Sequence, residues 1–200
     1  MKKLIIFDFD GTLTKRDTLR PFVKYIAASQ KCNYKLFMFY CLLVQLKLKF
    51  IADKPFKEAF LRLFIKGMNV TEVQKMVDSF FDDQLQYLLN DVIFEKLKNH
   101  IASGERVYLA SANFDFFLYP LIKKWKLNGV ISTETEIQDN RFTGKIVGNT
   151  CKGENKVIKI KAVLGEEALR TAVAYGDDED SALLSSVGHG IKVSNTNYTP

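Results

Sequence analysis

LIIFDFDGTLT, residues Leu4 to Thr14, decides how the rest of this chain is read. Its apolar run is too short to span a membrane and ends in two carboxylates followed by Gly11-Thr12. That is the pattern of a buried parallel strand whose carboxyl end opens onto a site. In open α/β sheets ligands bind at that end. Asp8 and Asp10 are separated by a single residue, so on an extended strand they point to the same side. Two carboxylates so close repel unless a cation lies between them, and Mg²⁺, a hard ion that prefers oxygen, suits the pair. With that charge balanced, Asp8 is placed to attack an electrophile such as phosphorus, which leaves Asp10 free for proton transfer.

After Thr14 the periodicity changes from strand to helix and stays helical to about Leu89. Asp17-Thr18 offers an N-cap to a helix carrying Leu19, Phe22, Val23 and Ile26 on one face. LFMFYCLLVQL, Leu36 to Leu46, is apolar on nearly every face but too short to cross a bilayer. It reads as a helix buried in the subdomain or in a dimer contact, or as one lying in a membrane interface between Lys35, Lys47 and Lys49. Further helices are expected over about 54–65 and 71–89. From Asp91 helix and strand alternate again: helix 92–102, strand 106–110, a helix through Trp125, strand 129–133, a hairpin turning at Asp139-Asn140, helix 154–164, and strands 171–175 and 190–193. This order predicts an α/β fold, a Rossmann-like, doubly wound, mainly parallel sheet interrupted once by an all-helical insertion. The expected division is a core of residues 1–16 and 91–200 with the insertion at 17–90.

Two hundred residues and 47% hydrophobic content suit one packed core with a small insertion. Cys32, Cys41 and Cys151 are odd in number and share no C-x-x-C spacing, which argues against a disulfide framework or a zinc site and for a reducing, cytoplasmic compartment. Met-Lys-Lys before an apolar run imitates a secretory leader, but Asp8 interrupts the run and no small-residue cleavage site follows, so the start is read as mature sequence. The net charge of +6 is concentrated: Lys15 to Lys66 holds twelve Lys and Arg against Asp17, Asp53 and Glu58. Such a segment suits an anionic phosphate substrate or a phospholipid surface, or is simply a solvated Lys-rich face.

Three other predicted strand ends carry polar groups. VYLASAN puts Ser111 after an apolar strand, where its hydroxyl and the backbone N–H groups beyond it, Ala112 included, can hold a phosphoryl oxygen. CKGENK supplies Lys152 and Lys156 at a helix start, either able to reach a phosphate. AYGDDED ends a strand in a carboxylate cluster containing Asp177, Asp178 and Asp180. One such residue is ordinary turn or cap chemistry, but their recurrence at matching strand ends is not.

FDFDGTLT resembles the first motif of the haloacid dehalogenase superfamily, and Ser111, the CKGENK lysines and Asp177 fall where its other three motifs stand. The resemblance covers the length of the chain. It is nearest to subfamily IB, which contains phosphoserine phosphatase and a bacterial phosphatidylglycerophosphate phosphatase, and the helical insertion is similar to that branch's C1 cap. What the resemblance implies is a phosphatase with Asp8 as nucleophile, Asp10 as acid and base, and Ser111, the Gly11 and Thr12 backbone and Lys156 around the transferring group. Mg²⁺ is then held by Asp8, Asp177 and the Asp10 carbonyl, helped by Asp178 or Asp180. In the phosphoserine enzymes the lysine directly precedes Gly, which would select Lys152 instead. The usual Gly-Asp-x-x-x-Asp spacing is not kept, since its last position holds Ser181. Asp17 lies where the serine enzymes carry a glutamate that reads the substrate's ammonium.

The implied substrate is a small or lipid-like phosphomonoester. The basic, aromatic cap favours a lipid or other anionic phosphate over phosphoserine and leaves peripheral membrane contact open. His100 and His189 have no part in this scheme and are read as structural. Two other readings stand beside hydrolysis: phosphotransfer from the same aspartate to another acceptor, and a non-catalytic module binding an anionic membrane or nucleic acid. Nucleic acid is not expected, because a binding module has no use for the aspartate set.

Overall fold

A computed structural model describes residues 2–194 of the chain. Residues 1 and 195–200 of the expected core therefore lie outside the described residues. Five strands, β1 (Leu4–Phe7), β2 (Arg106–Phe114), β3 (Gly129–Thr133), β6 (Val173–Gly176) and β7 (His189–Lys192), form one parallel sheet in the order β3-β2-β1-β6-β7. A two-stranded antiparallel hairpin, β4 (Thr135–Gln138) and β5 (Arg141–Ile146), stands apart from it. Asp139 and Asn140 both have positive φ, the left-handed turn that Asp and Asn tolerate and that matches strand twist in two-residue hairpins.

The strand period of two sorts the central strands between two cores. Ile5, Phe7, Val107, Leu109, Val173 and Tyr175 face one apolar cluster, whereas Leu4, Ile6, Ala110 and Ala174 face another. The second cluster is closed by α7 (Glu154–Leu164), α8 (Glu166–Arg170) and α9 (Ser181–Ser186) through Val157, Ile160, Leu169 and Leu183. The first is closed by α5 (Asp91–Ala102) and α6 (Asp115–Trp125) and continues into the helices of the insertion. β1 is thus buried on both faces, which is why its run is uniformly apolar.

Between β1 and α5 the chain makes four helices, α1 (Leu19–Ser29), α2 (Asn33–Lys47), α3 (Asp53–Phe64) and α4 (Val70–Leu88). Phe22 of α1 meets Phe80 of α4 at 5.2 Å and Phe117 of α6 at 4.9 Å between ring centroids, tying the insertion to the sheet-side core. At α4's start the Asn69 side chain accepts from Thr71 N at 2.8 Å and Glu72 Oε2 accepts from Asn69 N at 3.1 Å, an N-terminus closed by both residues. The chain leaves and re-enters the sheet layer side by side, with Lys15 N donating to Leu88 O and Asn90 N to Leu13 O, both at 2.8 Å. The hairpin straps the insertion from outside: Gly67 N donates to Phe142 O at 2.8 Å, and Arg141 Nη1 donates to Gly67 O at 2.7 Å.

Two features depart from the sequence expectation. β2 does not stop at Ala110; it runs to Phe114, which pairs with Thr133 after a shift of register. Ser111 and Asn113 therefore lie within the irregular end of the strand, and the packing of Phe114 on Phe60 and Phe116 holds that end extended. Burial inside the subdomain fits only part of α2: among its residues Phe39 alone is fully buried, and its outer face is exposed.

Candidate active site

The carboxyl end of β1 breaks into a tight, irregular turn over Phe9–Leu13, in which Gly11 takes φ +82°. A cavity of about 380 Å³ opens there, walled by the ends of β1, β2 and β6 and by α1, α2 and α3 of the insertion. Asp8 sits at its floor, buried, with Asp8 N bonded to Tyr175 O of the neighbouring strand at 2.9 Å. Lys156, buried in the first turn of α7, donates to Asp8 Oδ1 at 2.8 Å and to Asp180 Oδ1. Burial pushes the Asp8 carboxyl up to about 7 against the opposing pull of Lys156, with Asp180 and Asp10 adding to the rise. Burial also works against the Lys156 ammonium, but Asp8 and Asp180 outweigh it and hold its pKa above the ordinary lysine value.

Asp10 is held from two sides. Its Oδ1 accepts from Thr18 Oγ1 at 2.6 Å and Thr18 N at 2.8 Å, and its Oδ2 accepts from Asn113 Nδ2 at 2.9 Å. Burial, followed by the charge of Asp17, raises the Asp10 carboxyl to about 6, while the bonds from Thr18 and Asn113 pull it down. Of the Asp17-Thr18 pair expected to cap the helix, Thr18 spends its hydroxyl on Asp10. The helix-start bond to Arg20 N is instead accepted by Asp17 Oδ1 at 3.1 Å. Ser111 is buried, and its Oγ accepts from Asn113 N at 3.1 Å.

Of the aspartates after β6, Asp177 and Asp180 line the cavity. Asp178 is exposed and ion-paired with Lys192. Asp177 Oδ1 accepts from Glu179 N at 2.8 Å, and its Oδ2 packs directly over the Cα of Gly11. Burial raises the Asp177 carboxyl. The two lysines of CKGENK also part company: Lys152 is half-exposed and paired with Glu179 at 2.7 Å at the cavity rim. Thr12 is buried, and its hydroxyl has no hydrogen-bond partner among the described residues. Ala112 lines the cavity, and its carbonyl takes bonds from Thr133 Oγ1 at 2.7 Å and from Lys57 Nζ. His100 lies apart from the cavity lining, between Glu105 and the Tyr175 hydroxyl.

Asn113 and Lys57 line the cavity and Thr18 anchors Asp10, and sequence reasoning gave none of the three a role at the site. A period of two from Ser111 puts Asn113 on the same side of an extended strand, so a longer β2 would have exposed it. Lys57 had no local signal: it is one of twelve basic residues, and only tertiary packing buries it over the Phe114 ring, 5.7 Å from the centroid.

The described lining holds seven carboxylates (Asp8, Asp10, Asp17, Asp53, Asp177, Glu179, Asp180) against five cations (Arg20, Lys47, Lys57, Lys152, Lys156), and neither His nor Cys. An excess of hard oxygen donors, with carboxyls raised chiefly by burial, suits a Mg²⁺ ion. Among the described residues no three acidic, His or Cys side chains form a ready cage, so the fit relies on one or two carboxylates completed by a backbone carbonyl and waters, which is the usual habit of this ion.

A family model for haloacid dehalogenase-like hydrolases matches residues 5–180. The chain is 28% identical over 187 residues to protein CicA of Caulobacter vibrioides, covering 91% of this chain and 82% of that one. Among solved structures it resembles a protein of unknown function from Bordetella pertussis Tohama I, with a TM-score of 0.87 at 22% identity over 96% of this chain and 90% of that one. It also resembles a phospho-aspartyl intermediate analogue of a phosphoserine phosphatase, with a TM-score of 0.63 at 20% identity, covering 96% and 86% of the two chains.

Proposed function

The chain belongs to the haloacid dehalogenase-like hydrolases, and from that premise we propose that it is a Mg²⁺-dependent phosphomonoesterase working through an aspartyl-phosphate on Asp8. The observation that carries this reading is the pair of carboxylates at the end of β1 held in different ways: Asp8 against the Lys156 ammonium, Asp10 between Thr18 and Asn113. A phospho-aspartyl analogue in a protein of the same fold supports it.

In the proposed cycle a carboxylate oxygen of Asp8 attacks phosphorus in line, and the bond from phosphorus to the leaving oxygen breaks. Asp10, with its carboxyl raised toward neutrality, gives its proton to the departing alkoxide. It then takes a proton from the water that attacks the phosphorus of the acyl phosphate, which releases inorganic phosphate and restores Asp8. Lys156 and the Ser111 hydroxyl stand where charge on the transferring oxygens needs donors. Asp8 and Asp177, with the Asp10 carbonyl, would hold Mg²⁺, and Asp180 is the second acidic partner favoured by its inward position. Bound there, the ion would neutralise phosphoryl charge as Asp8 approaches it.

Residues 17–90 serve in this reading as a cap over the site. Its wall is apolar through Phe39, Leu43, Leu46 and Phe56, and carries the cations Arg20, Lys47 and Lys57 beside Asp17 and Asp53. That lining favours a substrate with an acyl or other apolar portion beside its phosphate, a lipid-like phosphate ahead of phosphoserine.

The test is phosphate release from an aryl phosphate by wild type and Asp8→Asn, with and without Mg²⁺. Turnover that requires both the ion and Asp8 is expected. Turnover that survives Asp8→Asn, or a wild type inert on aryl, acyl-lipid and amino-acid phosphates alike, would overturn the proposal.

A further inference from the structure

α2 is an amphipathic helix in its contacts though not in its composition. Around its axis, at 100° per residue, Leu36, Phe39, Leu43 and Leu46 turn inward, and the last three line the catalytic cavity. The opposite arc presents Tyr34, Phe37, Met38, Tyr40, Val44 and, just past the helix, Leu48. Phe37 is 72% exposed, Tyr34 65% and Leu48 59%, and Phe50 in the following turn reaches 76%. No other helix leaves such a continuous run of large apolar side chains uncovered among the described residues, and water is a poor solvent for it.

Within the segment that carries this arc the charge is all of one sign. Lys35 and Lys47 border it on either side, Lys31 and Lys49 stand exposed at its two ends, and no acidic residue occurs from Lys31 to Ala52. A second copy docked through the same face would bring two sets of lysines together without a carboxylate to answer them. No described helix is long and apolar enough to cross a membrane, and α2, at 15 residues, would reach only about 22 Å. An apolar stripe edged by lysines on a helix too short to span is the form that lies in the headgroup layer of a bilayer, with the lysine stems extended toward lipid phosphates.

We infer that the outer face of α2, with Phe37 on the helix, Leu48 and Phe50 just past its C-terminal end, and Lys31 and Lys49 flanking the helix, docks the protein onto an anionic phospholipid surface. The cavity lies on the inner side of the same helix, so docking would set the candidate site beside the bilayer. The inference stands on exposure and charge and does not depend on the chemistry proposed for Asp8.

The test is flotation of the full chain with vesicles of phosphatidylcholine alone and of phosphatidylcholine with about one third phosphatidylglycerol. Binding to the anionic vesicles, weakening steeply with salt, is expected. Lys31→Gln with Lys49→Gln should weaken it roughly 25-fold at low salt, about fivefold per lysine. Phe37→Asp with Leu48→Asp should weaken it by at least about 30-fold. Both pairs lie on the surface and should keep the wild-type thermal midpoint, while Asp8→Asn should still bind. Failure of the wild type to bind either vesicle, equal binding by the variants, or a wild-type dimer that the Phe37→Asp, Leu48→Asp pair dissociates would each overturn the inference.

Discussion

Gly11→Ala separates the backbone demand of the β1 turn from its role at the site, because Gly67 provides an internal control. Both glycines have φ +82°, so an alanine at either position incurs the same left-handed penalty, about 1–2 kcal/mol. In a chain of this size that lowers the thermal midpoint by roughly 2–8 °C. Around Gly67 an added Cβ meets nothing within 4 Å, whereas at Gly11 it lands on Asp177 Oδ2, closer than real Cβ contacts come. The Asp177 carboxylate must then rotate away and give up its bond from Glu179 N. Because Asp177 is only half-buried, water replaces part of that loss, and the extra cost over Gly67→Ala should stay near about 1 kcal/mol. The larger effect should be on Mg²⁺: displacing a group that orients the ion costs about 10–100-fold in affinity. Thermal unfolding of both variants, with phosphate release titrated against Mg²⁺, measures the two terms. Gly67→Ala should lose stability alone; Gly11→Ala should lose slightly more and need at least about tenfold more Mg²⁺. Equal Mg²⁺ requirements in the two variants would refute the placement of Asp177 at the ion.

Lys156→Met should leave Asp8 and Asp180 buried without their cation and destabilise the fold by about 3–5 kcal/mol at pH 8 in the absence of Mg²⁺. Losing the lysine removes the pull that opposes burial at Asp8 and raises its native pKa further above the unfolded value, so the native state binds a proton more readily. The deficit should therefore shrink as pH falls from 8 toward 5.5, and denaturant unfolding showing a pH-independent deficit would contradict the pairing. Thr18→Val, nearly isosteric, removes one of the two bonds to Asp10 Oδ1 and should lower kcat/KM on an aryl phosphate about 10- to 100-fold, with some loss of thermal midpoint because a buried bond to a carboxylate is gone; undiminished turnover would show that Asp10 needs no such positioning. Phe22→Ala opens a void between Phe80 and Phe117 and should cost about 3–5 kcal/mol in denaturant unfolding, and a loss below about 1 kcal/mol would mean that the insertion and the sheet-side core are not coupled there.

What the chain determined by itself was everything local. The run Leu4 to Phe7 could be read as a strand buried on both faces because a central parallel strand has no solvent side to encode. The alternation of elements after Asp91 specified the sheet, and Asp139-Asn140 announced their hairpin because few residues accept positive φ there. Spacing also brought Asp8, Asp10, Ser111 and Asp177 to one rim of the sheet. It could not choose between Lys152 and Lys156 or between Asp178 and Asp180, since neighbours in sequence share composition and differ only in the direction they face. In the tertiary structure Lys156 turns inward to Asp8 and Asp180, while Lys152 and Asp178 pair with Glu179 and Lys192 toward solvent. Packing likewise decided that β2 extends to Phe114, that the Thr18 hydroxyl serves Asp10 instead of its own helix, and that α2 buries one face and bares the other. The physical reason is common to all three. A strand end paired across the sheet, a side chain drawn out of its helix to a carboxylate, or the uncovered side of a helix apolar all round leaves no period in the sequence, because the partner that defines it is set by the fold.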